Sequence, residues 1–145
     1  MMVLQIAVIE GSERYSELAR LTAWGYHHLL TSHHELADGY GNCWIVSAVG
    51  HGVARALNLS AQMVGGKVRK DGRDVFDRRG HYWVDLGGGI ILDSPRQDLL
   101  MIGRADQRGA RYIPLLSMRT KNLLRLSEAT RQRFISDPPP AGLPL

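Results

Sequence analysis

Apolar residues recur along this chain with two different periods, and the change from one to the other divides it. From Ser12 to Leu30 the spacing is helical: Tyr15, Leu18, Leu21, Thr22 and Leu29 fall near one face, and Ser12 can cap the start. Residues 31–42 (TSHHELADGYGN) are polar and broken by glycines, so a loop is predicted. The stretch Cys43 to Leu57 is apolar almost all round, through Trp44, Ile45, Val46, Ala48, Val49, Val53, Ala54 and Ala56. A helix without a polar face is buried rather than laid on a surface. Asn42 is a suitable N-cap for it and Asn58 a suitable stop.

Beyond Asn58 the period drops to two. Ala61–Val68 reads as a strand, in which Gly65-Gly66 marks a bulge or a close approach of neighbouring groups. Residues 69–79 form a charged loop. His81–Leu86 is a strand, Gly87–Gly89 a turn and Ile90–Asp93 the returning strand, closed by Ser94-Pro95. Arg111–Leu116 is a further candidate strand, and Ser127–Ile135 reads as a short helix capped by Ser127. The apolar start, Met1–Ile9, is a strand or packing segment. The many apolar residues of segment 96–126 are otherwise assigned to no element. Helix, helix, then strands predicts an α+β fold, with a buried cysteine-bearing helix packed on a small antiparallel sheet. One domain is expected over residues 1–137, followed by a Pro-rich tail, 138–145, expected to be disordered or extended.

Composition adds bounds. A length of 145 residues suits one core. No apolar run approaches the roughly 18 residues of a membrane helix, and Met1–Ile9 lacks the basic start and small-residue cleavage site of a signal peptide. The single cysteine excludes an internal disulfide framework. A cytoplasmic location, or delivery from a bacterium or phage without a cleaved signal, is the expectation. Residues 1–66 carry three Arg and five acids, whereas residues 67–145 carry fifteen Lys/Arg and nine acids. Such a basic half suits an acidic protein or peptide partner. Nucleic acid is the weaker choice, because the basic residues are mostly Arg interspersed with Asp, with no aromatic–basic repeat.

Three residues carry candidate chemistry. Cys43 lies in the first turn of the predicted buried helix, where the positive end of the helix dipole favours a thiolate. The N–H groups of Cys43 or Trp44 could there hold an oxyanion. His81 opens an aromatic-rich strand, and as a base it needs a partner that orients its ring. Asp85 is on the same strand face but about 13 Å away along the strand. Asp93 lies across the hairpin. If Gly87–Gly89 make a three-residue loop, Trp83 stands opposite Asp93, and His81 and Asp93 become diagonal neighbours on one face, about 7–8 Å apart at Cα. A two-residue turn would put Asp93 on the other face. His51 is eight residues along the helix from Cys43, a rise of about 12 Å, which excludes it as the base. His27, His28, His33 and His34 have no cysteine or carboxylate cluster at ligand spacing, so neither a metal nor any other cofactor is expected.

Gly41-Asn42-Cys43-Trp44 with its apolar helix, His81-Tyr82-Trp83-Val84, and Ile91-Leu92-Asp93-Ser94-Pro95 together resemble the core of the transglutaminase-like and papain-like cysteine enzymes. The likeness spans roughly residues 40–95. It implies Cys43 as nucleophile, His81 as general base and acid, Asp93 as the orienting residue, and a thioester acyl-enzyme. The family's oxyanion donor does not carry over, because no glutamine stands in residues 31–42. Tyr40, Asn42 or a backbone amide is the candidate there. Trp44 and Trp83 are candidates for substrate contact, or else plain core aromatics. Water as acceptor makes a protease, amidase or glutamine deamidase, and an amine makes a transglutaminase. The chain is short for an elaborated transglutaminase and has no calcium loop of the Asp-x-Asp-x-Asp-Gly type, so a compact peptidase or deamidase is favoured. The rival from another class is a catalytically silent protein-binding module of the same fold.

Overall fold

The computed structural model describes residues 5–8, 13–32, 42–75, 80–96 and 99–139. Among them are three α-helices and seven strands, in the order β1 (Gln5–Val8), α1 (Glu13–Ser32), α2 (Asn42–Ala56), β2 (Gln62–Lys70), β3 (Arg73–Asp74), β4 (His81–Asp85), β5 (Ile90–Arg96), β6 (Leu99–Arg104), β7 (Ala110–Pro114) and α3 (Lys121–Ser136). A 3-10 turn, Ala105–Arg108, joins β6 to β7. The strands form one sheet, ordered β1-β6-β5-β4-β2-β3, with β7 also paired to β2. The architecture is thus α+β. No helix among the described residues is long and apolar enough to cross a membrane.

The apolar second helix is buried as its composition requires: Ile45, Val46, Ala48, Val49, Val53 and Ala54 are all at most 1% exposed. It packs with α1 and α3 on one face of the sheet, against Val84, Leu86, Leu92, Leu100 and Ile102. Asn58 ends it in the left-handed conformation (φ 59°). The Asn58 amide donates to the Arg55 carbonyl and the Leu59 amide to that of Ala54, which together satisfy two of the last carbonyls.

Alternation sends the other side chains of the same strands to the opposite face, where Val68, Trp83, Ile91, Met101 and Ala110 make a second cluster. The helices pack in the first cluster, not here. The sheet itself closes over this cluster by curling. Its curvature is measured by Tyr112 on β7, whose hydroxyl bonds Asp93 on β5 at 2.5 Å. Three interstrand spacings would separate those strands by about 14 Å in a flat sheet.

Three expectations need correction. The sheet is not small and antiparallel but seven-stranded and mixed, because β1 joins the edge of β6 in parallel. Segment 96–126, in which Arg111–Leu116 is the one expected strand, supplies that strand as β7 and also β6 and the start of α3, which are not expected. Ser127 is not a cap: α3 begins six residues earlier, and Ser127 is fully buried against α2, its Oγ 2.5 Å from His51 Nδ1. A serine facing a polar partner in another helix has the same local sequence signature as one capping its own helix, and only packing separates them.

The β4–β5 hairpin has the expected register. Val84 pairs with Leu92 and Asp85 with Ile91, leaving Gly87–Gly89 as a three-residue loop. All three glycines have positive φ (87°, 63° and 79°). Gly88 is in open space, so a side chain there meets only the intrinsic penalty of the left-handed region. Gly88→Val should therefore lower stability by about 1–2 kcal/mol, and Gly88→Asn by less, as read by urea unfolding.

Gly66 is a different case. It pairs with His81, and a Cβ on it would lie 2.0 Å from the Ile113 carbonyl oxygen and 2.8 Å from the Trp83 ring. Close approach, not a bulge, explains this glycine. Gly66→Ala should cost roughly 1–3 kcal/mol by overpacking, and a stability equal to that of the unaltered chain would contradict the packing described.

Candidate active site

Cys43 is the second residue of α2 and is partly exposed. The start of the helix is pinned to the start of β4 by Ser47, one turn on, whose buried hydroxyl donates to the Tyr82 carbonyl at 3.0 Å. Residues four apart share a helix face, so this bond turns the Cys43 side toward His81, which immediately precedes Tyr82.

His81 is only 1% exposed and Asp93 not at all. The imidazole Nε2 lies 2.5 Å from Asp93 Oδ1, so Nε2–H donates to the carboxylate and the tautomer is set. Cys43 acts on the same ring as a hydrogen-bonding and electrostatic neighbour. Sulfur, imidazole and carboxylate, separated by fifty residues in the chain, are thus brought together.

Two aromatic rings complete the surroundings. Trp83 stacks on His81, centroids 6.3 Å apart and planes 24° apart. Tyr112 meets Trp83 edge-on at 5.1 Å, and its hydroxyl donates to Asp93 Oδ2 at 2.5 Å. Immediately after Asp93 the pairing of β5 with β6 slips by one residue. Such irregularities commonly re-aim side chains near functional sites.

Burial by itself would lower the affinity of His81 for a proton. The Asp93 hydrogen bond, the Cys43 contact and the charge of both overcome it and raise the pKa from 6.5 to about 9. The ring therefore holds its proton more tightly than a free imidazole does, through the Asp93 bond and the Cys43 contact. His51, by contrast, is pushed down by burial and by the Arg55 charge, against an opposing bond with the Ala61 backbone. It is a structural histidine bound to Ser127, eight residues from Cys43 along α2.

The remaining sequence candidates divide. Trp83 is 3% exposed and packs against His81 and Tyr112, so it supports the ring from inside the sheet. Trp44 is half-buried between the main core and a smaller cluster of Ala48, Met63 and Leu123. Asn42 is the first residue of α2. Tyr40, His33 and His34 lie outside the described residues. Tyr112 and Ser47 were missed. Ser47 is detectable as a buried hydroxyl position in an otherwise apolar helix, but Tyr112 has no local signal, because its partner lies three strands away. Among the described residues no group of three His, Cys, Asp or Glu could hold a metal ion.

The raised pKa of His81 makes folding pH-dependent with a definite sign. A histidine that holds its proton more tightly when folded stabilises the fold fully below pH 6.5, and that contribution is lost as pH rises toward 9. For this buried group the shift corresponds to roughly 3 kcal/mol. The stability difference between the unaltered chain and His81→Gln should shrink by about that amount between pH 6 and pH 9.5, measured by urea unfolding. A difference that stays constant over the range would show that the ring is not so held.

No protein-family model, curated protein or solved structure matches this chain, and the reading of the site therefore rests on its own geometry.

Proposed function

We propose that this protein is a cysteine-dependent acyl-transfer enzyme acting on amide bonds of a peptide or protein, with Cys43 as nucleophile, His81 as acid and base, and Asp93 as the residue that orients His81. The observation that carries this reading is the His81 ring, hydrogen-bonded to buried Asp93 through one nitrogen and engaged by the Cys43 thiol at the start of a helix.

In the proposed reaction the proton of the thiol resides on His81. The thiolate attacks the amide carbonyl, and the carbonyl π electrons move to oxygen. N–H groups at the start of α2 stabilise that oxyanion. On collapse the C–N bond breaks, the imidazolium gives its proton to the leaving amine, and a thioester remains on Cys43. Water then attacks the thioester, with His81 removing its proton, and the acid is released with the thiolate restored. An amine in place of water would make the reaction a transglutamination, and a side-chain amide as substrate a deamidation. The excess of basic residues in the second half of the chain suits an acidic protein substrate.

Alkylation by iodoacetamide tests the nucleophile without knowledge of the substrate. At pH 6 an ordinary thiol, pKa about 8.5, is well under about 1% thiolate. Cys43 should react at least about tenfold faster than free cysteine under those conditions, and a rate no faster than free cysteine would favour a silent binding module. Cys43→Ala should abolish turnover with little change in stability. Asp93→Asn should keep the fold, since the amide oxygen still accepts from His81, but should lower activity by orders of magnitude. Near-normal turnover in either variant would exclude the mechanism. Retention on DNA or RNA that weakens with salt and survives Cys43→Ala would point instead to nucleic-acid binding.

A further inference from the structure

We propose that Tyr112 is a positioning residue of this site, whose hydroxyl fixes the rotation of the Asp93 carboxylate and thereby holds the His81 ring in line with Cys43. The proposal deepens the acyl-transfer reading above and rests on it for its catalytic consequence.

The terminal torsion of an aspartate is broad and roughly two-fold, so a single hydrogen bond defines its plane poorly. Here the two oxygens are divided between two donors: Oδ1 takes the His81 N–H and Oδ2 the Tyr112 O–H, each at 2.5 Å. Two donors on separate oxygens fix the carboxylate plane. The donors are themselves tied together, because Trp83 stacks on His81 and meets the edge of Tyr112. His81, Asp93, Tyr112 and Trp83 therefore form a closed circuit of contacts contributed by β4, β5 and β7. No member can rotate without breaking a contact with two others.

The circuit spans the curl of the sheet. Asp93 is fully buried, so Oδ2 without its donor would be a desolvated anionic oxygen. It would be restored only by turning toward another donor, and that turn takes Oδ1 off His81. A residue that only filled space beside Trp83 would have no such effect, and phenylalanine would replace it without consequence for the ring. The distinction lies in the hydroxyl.

The test uses the full chain and three variants, Tyr112→Phe, Asp93→Asn and the double variant, with two readouts. One is the rate of Cys43 alkylation by iodoacetamide at pH 6. The other is the proton NMR signal of His81 Nε2–H, expected far downfield for a buried bond to a carboxylate. Tyr112→Phe should slow alkylation roughly tenfold, in keeping with a modest loss of alignment, and should move or broaden the His81 signal. In the Asp93→Asn background the same substitution should change the rate by less than about twofold, since its route of action is gone. An equal slowing in both backgrounds, or an unchanged His81 signal in Tyr112→Phe, would overturn the proposal.

If Tyr112→Phe does not fold, 3-fluorotyrosine at position 112 keeps the ring and makes the hydroxyl a stronger donor. The His81 signal should then shift, and a signal unmoved by fluorination would be equally contrary. Slow alkylation of the unaltered chain with the NMR dependence intact would defeat the acyl-transfer reading and leave the positioning of His81 by Tyr112 standing. Fast alkylation without the NMR dependence would do the reverse.

Discussion

The hydrogen bond between His81 and Asp93 is the interaction on which the arrangement of this protein depends. Both groups are withdrawn from water, and a buried charge without a partner is costly by several kcal/mol. The carboxylate is tolerable in the curl of the sheet because His81 and Tyr112 each give it a proton donor. The imidazolium is tolerable because carboxylate and sulfur flank it. Neither group would be expected to remain charged in that interior alone. The sheet must therefore curl far enough to bring β7 over β5, and the β4–β5 loop must have an odd number of residues, or the pair is lost.

Two faces of one sheet perform different tasks. Val84 and Leu92 point toward the helices and carry the main core. Their neighbours Trp83 and Asp93 point the other way and hold the histidine. Strict alternation along β4 and β5 allows both without interference, provided the register is fixed. The three glycines of the loop fix it, and Gly66 leaves the space into which Trp83 fits. Cys43 belongs to a helix on the core face and reaches His81 only because each lies at the very beginning of its element. Ser47 joins those two beginnings.

Much of this was legible in the residues. The apolar circumference of α2, its stop at Asn58, the glycine loop and the consequent register of β4 with β5 all follow from short-range pattern. These features rest on local sterics or on a period that a few residues define. What could not be read has a common cause. β6 is short and its apolar run, Leu99 to Ile102, shows no alternation, whereas β7 is legible as the strand expected at Arg111–Leu116. The place of β1 beside β6 is a contact across almost a hundred residues. Ser127 looked like a cap because its partner, His51, is remote in sequence. Tyr112 belongs to the same class: an alternating strand shows that it faces Ile113's opposite side, but not which group it meets there.

The protonation of His81 bears on how such a site could work. A histidine near pKa 9 is a poor base for an ordinary thiol at neutral pH, which would weigh against a mechanism in which the thiol waits to be deprotonated. It is, however, well suited to hold a proton already transferred and to deliver it to a leaving amine, whose departure from a tetrahedral carbon needs that proton. The same value would hinder the second half-reaction if it persisted, because the ring must then accept a proton from water. In the proposed mechanism, acylation of the sulfur would remove its contact with His81 and with it one of the influences that raise the ring, while Asp93 would remain. The covalent step would then shift the histidine from acid toward base without any movement of the chain. This requires that the carboxylate stay fixed while the sulfur changes, which is the property that a clamp on the side of Asp93 remote from Cys43 would supply.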